Sequence, residues 1–138
     1  MPETPRKRRT FLMASATSLV MPMAAQAYSL VEYSPATWVD LKQTDQTVIL
    51  NFRATWSHTC NEKLELIVRL MAENSAYNNL SFVNVDWDTF GQSQFADRLR
   101  VTRHSTLIVM KQGSEITRVV NEPYERKIRA FLDTALSA

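Results

Sequence analysis

The chain has 138 residues, 45% of them hydrophobic, and a formal net charge of +2. This length is enough for one domain with its own core. Four basic side chains and one acidic side chain fall within residues 1–27, which leaves 12 basic and 13 acidic side chains in residues 28–138. A domain with so little net charge lacks the basic surface that binds nucleic acid, so we expect no nucleic-acid partner.

The first 27 residues have the composition of a cleaved export signal. A basic block, RKRR, precedes a moderately apolar run over Phe11–Met23, and Ala25–Ala27 matches the small-x-small pattern of signal peptidase sites. The segment Arg8–Leu12, RRTFL, resembles the twin-arginine export signal. A nuclear-type basic cluster and a membrane anchor are the alternatives, although the apolar run is short for a bilayer span. We therefore predict a twin-arginine-type signal peptide over residues 1–27, a periplasmic domain over residues 28–138, and no membrane contact after cleavage.

Strand and helix signals alternate along the predicted domain. Ser34 followed by Pro35 is typical of a helix start, and Thr47–Arg53 is apolar almost throughout, as in a strand buried on both faces. An acidic loop, Asp86–Asp88, follows the third strand, and Gly113 marks a hairpin between the last two. In chain order we predict strands at about 31–33, 47–53, 80–85, 106–110 and 115–120, and helices at about 34–43, 59–74, 92–99 and 124–136. This order favours an α/β fold with parallel central strands and an antiparallel edge.

Two segments carry a resemblance to a known family. Val48–Cys60, VILNFRATWSHTC, is similar to the thioredoxin segment in which a buried strand leads into Trp-Cys-x-x-Cys. Val101–Gly113, VTRHSTLIVMKQG, resembles the family's Val-x-x-Ile-Pro-Thr segment, which continues with apolar residues and Lys-x-Gly. The resemblance covers about Val31–Leu136. It implies a thioredoxin-like three-layer α/β/α fold with a central mixed sheet.

The first cysteine of the motif is missing. Ser57 occupies its position, and Cys60, the only cysteine of the chain, occupies the second. In the family the first thiolate attacks a disulfide and the second thiol resolves the product, a role that a serine hydroxyl cannot fill. We expect Ser57 or Thr59 to cap the following helix. Two interpretations of Cys60 stay open: a buried, weakly reactive thiol, and a monothiol that forms mixed disulfides.

Two further positions depart from the family pattern. Asn51 stands where the resemblance implies a buried aspartate that assists proton transfer, and an amide does not exchange a proton at working pH. Ser105 stands where the resemblance implies a proline after a cis peptide bond. A cis bond before serine costs about 3 kcal/mol, so we expect a trans, reshaped bend. Together with Ser57, these positions predict that the dithiol cycle is absent.

His58 and His104 are the only histidines, and the resemblance places both near Cys60. One thiolate and two imidazoles would suit zinc or copper. However, residues two apart on a helix point in different directions, which argues against His58 and Cys60 as joint ligands. We therefore predict no metal and no other cofactor.

The resemblance also implies a groove between the active-site turn and the bend near His104. We expect this groove to bind a periplasmic protein with an exposed thiol or disulfide, so that the protein is a partner-binding or assembly module. The alternative is a monothiol thiol–disulfide exchange enzyme that acts through Cys60. The candidate groove residues are Trp56, His58, Thr59, His104, Ser105 and Thr106.

Overall fold

A computed structural model describes residues 30–138 of the chain. The predicted signal peptide over residues 1–27 lies outside the described residues. In chain order the elements are β1 (Leu30–Glu32), α1 (Pro35–Leu41), β2 (Thr47–Arg53), α2 (His58–Glu73), a 3-10 helix (Ser75–Asn79), β3 (Ser81–Asp86), α3 (Trp87–Phe90), α4 (Gln94–Arg98), β4 (Thr106–Lys111), β5 (Ser114–Val120) and α5 (Glu125–Ser137).

The five strands form one mixed sheet in the order β1-β3-β2-β4-β5. Strand β3 pairs in parallel with β1 and β2, whereas β4 is antiparallel to β2 and β5. Strand β2 therefore lies at the centre, and its C-terminal end leads into α2. The predicted α/β fold with a central mixed sheet is confirmed.

Helices cover both faces of the sheet because β2 is apolar on both sides. Ile49 packs with residues of α2 and α5 on one face, while Leu50 and Phe52 pack with residues of α1 and α4 on the other. Side chains alternate between the two faces along a strand, so the almost uninterrupted apolar run supplies both cores. The prediction for β2, Thr47–Arg53, matches the structure residue for residue.

A side-chain cap fixes where α1 begins. Ser34 accepts a hydrogen bond from the backbone N–H of Thr37 at 3.1 Å, and Pro35 occupies the first helical position. The side-chain oxygen thus satisfies an amide that has no partner within the helix. The predicted start of α1 is confirmed.

The region after β3 differs from the prediction. Asp86–Asp88 is not a loop, because Asp86 ends β3 and its carboxylate accepts from the N–H of Thr89 at 3.1 Å, which caps α3. Ser93 in turn caps α4 by accepting from the N–H of Ala96. Helix α3 therefore replaces the predicted loop, while α4, Gln94–Arg98, lies within the helix predicted at 92–99. None of the helices within residues 30–138 is long and apolar enough to cross a bilayer.

Candidate functional site

The turn between β2 and α2 is shaped by a serine cap. Ser57 is buried, and its side-chain oxygen accepts from the backbone N–H of Cys60 at 3.4 Å. It also lies 3.0 Å from the hydroxyl oxygen of Thr59. Of the two capping alternatives, the structure shows Ser57 at the N-cap, with Thr59 exposed on the first turn. The hydroxyl therefore caps the start of the helix and is shielded from solvent.

Trp56 is the most prominent side chain beside this turn. It is 64% exposed, although a tryptophan usually buries most of its ring. Its indole N–H donates to the carboxylate of Asp88 at 3.0 Å, and its ring meets the His104 ring edge to face, with 5.1 Å between centroids. Trp87 contacts the same imidazole at 6.1 Å. An exposed indole held from two sides forms a fixed apolar surface.

Cys60 lies directly below this surface. Its residue is only 4% exposed, and its Sγ lies 3.6 Å from Nδ1 of His104. The structure thus brings Trp56, Cys60 and His104 together, although they come from two segments 44 residues apart. The thiol therefore has an imidazole as its neighbour, and its burial leaves little access for a partner.

His58 lies apart from this group. Its side chain is exposed, and its Nε2 lies 3.0 Å from a carboxylate oxygen of Glu62, one turn along α2. No hydrogen bond or ring contact joins it to Cys60 or His104 within residues 30–138. In the same part of the chain no group of three or more His, Cys, Asp or Glu side chains is placed to hold a metal ion.

The bend before β4 is held by its backbone. Ser105 is fully buried and has a φ angle of +60°, in the left-handed region, and no cis peptide bond occurs in residues 30–138. Its N–H donates to the carbonyl of Phe52 at 2.8 Å, and its carbonyl accepts from the N–H of Asn121 at 2.8 Å. Thr106 follows as the first residue of β4, and its hydroxyl donates a hydrogen bond to the carbonyl of Arg103. The bend is therefore trans and reshaped, as its serine suggested.

Lys63 is a site residue that sequence reasoning missed. It lies one turn after Cys60 on α2 and is only 7% exposed. Its Nζ donates to the carbonyl of Ser105 at 2.9 Å and to the hydroxyl of Ser105 at 2.8 Å. Burial lowers the pKa of Lys63 from 10.5 to about 8, against the opposing effects of Cys60 and Glu122, which favour the charged amine. The signal available in the sequence was the spacing Cys60, Lys63, Ile67, which places all three on one face of a helix.

Asn51 lies near the middle of β2, where it is buried. It is opposite Asn84 on β3 and opposite Leu107 on β4. A neutral amide with two such neighbours supplies no carboxyl group for proton transfer beneath the turn. The ionisable groups around Cys60 are instead the imidazole of His104 and the amine of Lys63.

Comparisons with known proteins agree with the observed fold. The family model described as Thioredoxin matches residues 30–134. Thioredoxin-2 of Saccharomyces cerevisiae is 33% identical over 98 residues, which is 71% of this chain and 86% of the yeast protein. The crystal structure of Trxlp from Edwardsiella tarda EIB202 is similar with a TM-score of 0.65 and 27% identity, covering 75% of this chain and 98% of that one. Thioredoxin of Malassezia sympodialis shares the fold, with a TM-score of 0.64 at 24% identity over 78% of this chain and 94% of its own.

The fold is that of a thioredoxin-like α/β domain, with a single thiol in the first turn of α2. The chain belongs to the thioredoxin family. With one cysteine in the whole sequence it cannot close an internal disulfide, so the two-thiol exchange cycle is unavailable to a single molecule.

Proposed function

We propose that this protein is an exported thioredoxin-family module that binds a partner protein in periplasmic thiol and disulfide processes, without dithiol turnover of its own. The observation that carries the proposal is the combination of a 64% exposed Trp56 with a 4% exposed Cys60. The recognition surface is open to a partner, while the sulfur beneath it is shielded. Such a site is better suited to binding than to rapid exchange of disulfides.

The recognition surface consists of Trp56, His104 and the edge of Trp87. Tryptophan dominates many protein interfaces because its large ring buries much apolar area with few rotatable bonds. The hydrogen bond from Trp56 to Asp88 fixes the ring before a partner arrives, which reduces the entropy lost on binding. We infer that an extended segment of the partner lies against these rings.

The compartment is inferred from the first 27 residues. Arg8 and Arg9, followed by Thr10-Phe11-Leu12, support export by the twin-arginine route, and Ala25–Ala27 supports cleavage after it. In that compartment, proteins with exposed thiols or disulfides are available as partners. We therefore propose a periplasmic protein of that kind as the partner.

A second candidate function follows from the contact between Cys60 and His104. With Sγ and Nδ1 3.6 Å apart, the imidazole is placed to accept the thiol proton. The thiolate would attack a disulfide, join one of its sulfurs to Cys60 and release the other as a thiolate. This monothiol activity requires the buried sulfur to become accessible.

Affinity capture from periplasmic extract distinguishes the two candidates when four baits are compared. The baits are the wild-type protein, Trp56→Ala, Cys60→Ala and Ile116→Ala, the last being a matched control because Ile116 is an exposed apolar residue on β5, away from the site. The binding module predicts that Cys60→Ala and Ile116→Ala retain the same specific partner and that Trp56→Ala loses it.

The monothiol alternative predicts a different pattern. Capture would depend on Cys60, and dithiothreitol would release the partner. Incubation of the folded protein with oxidised glutathione, followed by intact-mass spectrometry, gives an independent reading. Rapid stoichiometric addition of glutathione to Cys60 contradicts the shielded-thiol proposal, whereas reaction only after denaturation supports it.

A further inference from the structure

A pocket lies on the opposite side of the sheet from α2, between α1 and α4. Its volume is about 600 Å³, within the range of small-molecule sites. Four aromatic residues line it: Tyr33, Trp38, Phe90 and Phe95. None of the residues that line it belongs to the turn or the bend described above, so it is separate from the candidate thiol site.

The aromatic rings of this pocket are already arranged around one another. Tyr33 stacks on Phe95 with 4.3 Å between centroids and 16° between planes, and Phe90 meets Tyr33 edge to face at 4.8 Å. Trp38 packs against Phe95 at 5.3 Å and 62°. Yet Trp38, Phe90 and Phe95 are only half-buried, so part of their ring surface remains open. Such walls favour a flat aromatic ligand, which stacks on them with little rearrangement.

Two cationic side chains also line this pocket. Lys42 and Arg98 line it, and no acidic residue does. Arg98 donates to the side-chain oxygen of Gln94 at 3.2 Å, and neither cation forms an ion pair with a carboxylate within residues 30–138. A ligand that carries a negative charge would therefore gain two favourable interactions without displacing a native ion pair.

The hydroxyl group of Tyr33 provides a further polar anchor. The residue is only 8% exposed, and it lines the pocket together with Arg98. Burial raises the pKa of Tyr33, while the positive charge of Arg98 lowers it, which puts the phenol within electrostatic reach of Arg98. A phenolic hydroxyl at this position can donate a hydrogen bond to an anionic ligand that Arg98 also contacts.

We propose that this pocket binds a small aromatic carboxylate of one or two fused rings. The rings stack against Phe95 and Trp38, and the carboxylate accepts hydrogen bonds from Arg98 and from the Tyr33 hydroxyl, with Lys42 adding charge. The site is independent of Cys60, and its test does not depend on the function proposed for the thiol face.

The test uses the full chain and 2-naphthoate as the probe, titrated by isothermal calorimetry. We expect saturable binding of one probe per chain. Replacing the carboxylate with an uncharged alcohol, in 2-naphthalenemethanol, should weaken binding at least tenfold, because the contacts to Arg98 and Tyr33 are lost. Arg98→Gln should raise the Kd about tenfold and Tyr33→Phe about threefold to tenfold.

A matched control removes one positive charge elsewhere. Arg103 is exposed beside the bend near His104, and Arg103→Gln should leave the Kd within twofold of the wild-type value. NMR adds a positional readout, because the indole N–H signal of Trp38 should move on titration while that of Trp56 stays in place. Absence of saturable binding up to about 5 mM probe, equal losses in Arg98→Gln and Arg103→Gln, or a shift confined to Trp56 would each overturn the proposal.

Discussion

The buried amine of Lys63 predicts an unusual dependence of stability on pH. A lysine in the unfolded chain titrates near 10.5, whereas the folded environment lowers the pKa of Lys63 to about 8. Between these values the unfolded state binds more protons than the folded state, so the free energy of unfolding rises with pH. The full difference corresponds to roughly 3 kcal/mol, of which about 2 kcal/mol develops between pH 7 and pH 9.5.

Urea unfolding followed by tryptophan fluorescence measures this effect at a series of pH values. We expect the free energy of unfolding of the wild-type protein, relative to Lys63→Met, to rise by about 2 kcal/mol from pH 7 to pH 9.5. Subtracting the variant cancels the titration of all groups that behave alike in both proteins. Lys42→Met is the matched control, since Lys42 is exposed and its removal should leave the pH dependence unchanged.

The thiol of Cys60 requires one further control, because it interacts electrostatically with Lys63. Repeating the comparison with Cys60→Ala in both proteins removes any contribution from thiol ionisation. Parallel curves for the wild-type protein and Lys63→Met in that background would refute the assignment of Lys63 as a buried, easily deprotonated amine. A relative stability that falls as pH rises would instead mean that the folded state holds the charged amine more strongly than water does.

Three other substitutions test the turn, the core and the bend. Ser57→Cys should close an internal disulfide with Cys60 after mild oxidation, seen as a loss of about 2 Da by intact-mass spectrometry; two persistent free thiols would contradict the turn geometry. Phe52→Ala should lower the free energy of unfolding by about 3–5 kcal/mol, measured in urea, against less than about 0.5 kcal/mol for the exposed Val39→Ala. Ser105→Pro should lower it by at least about 2 kcal/mol, because proline cannot adopt a φ of +60° or donate to Phe52; wild-type stability in that variant would show the bend to be described wrongly.

Much of the fold could be predicted because several independent sequence signals favour the same secondary structure in the same segment. In β2 the apolar run, the β-branched residues and the polar turn that follows all favour a central strand. The secondary structure of the segment after β3 was harder to predict, because an aspartate such as Asp86 is typical both of a loop and of a helix cap. Only the position of its carboxylate beside the N–H of Thr89 decides between them.

Some residues of the candidate site could also be placed from the sequence, and others could not. The family resemblance suggested that Cys60 and His104 lie near each other, and the structure places them in contact. Lys63 could not be assigned from the sequence alone, since a lysine on a helix is exposed far more often than buried. Its position depends on a partner 42 residues away, the carbonyl and hydroxyl of Ser105.

The link between Lys63 and Ser105 has a consequence for how this chain can change by mutation. Proline at position 105 would remove the hydroxyl that accepts from the amine. A short apolar residue at position 63 would remove the donor to the serine hydroxyl and one of the two donors to its carbonyl. Either replacement alone is unfavourable. Because both break the same contact, the double replacement should cost less stability than the sum of the two single replacements. We therefore expect positive epistasis between these sites, so that a mutational route toward the usual thioredoxin bend passes through a less stable single mutant.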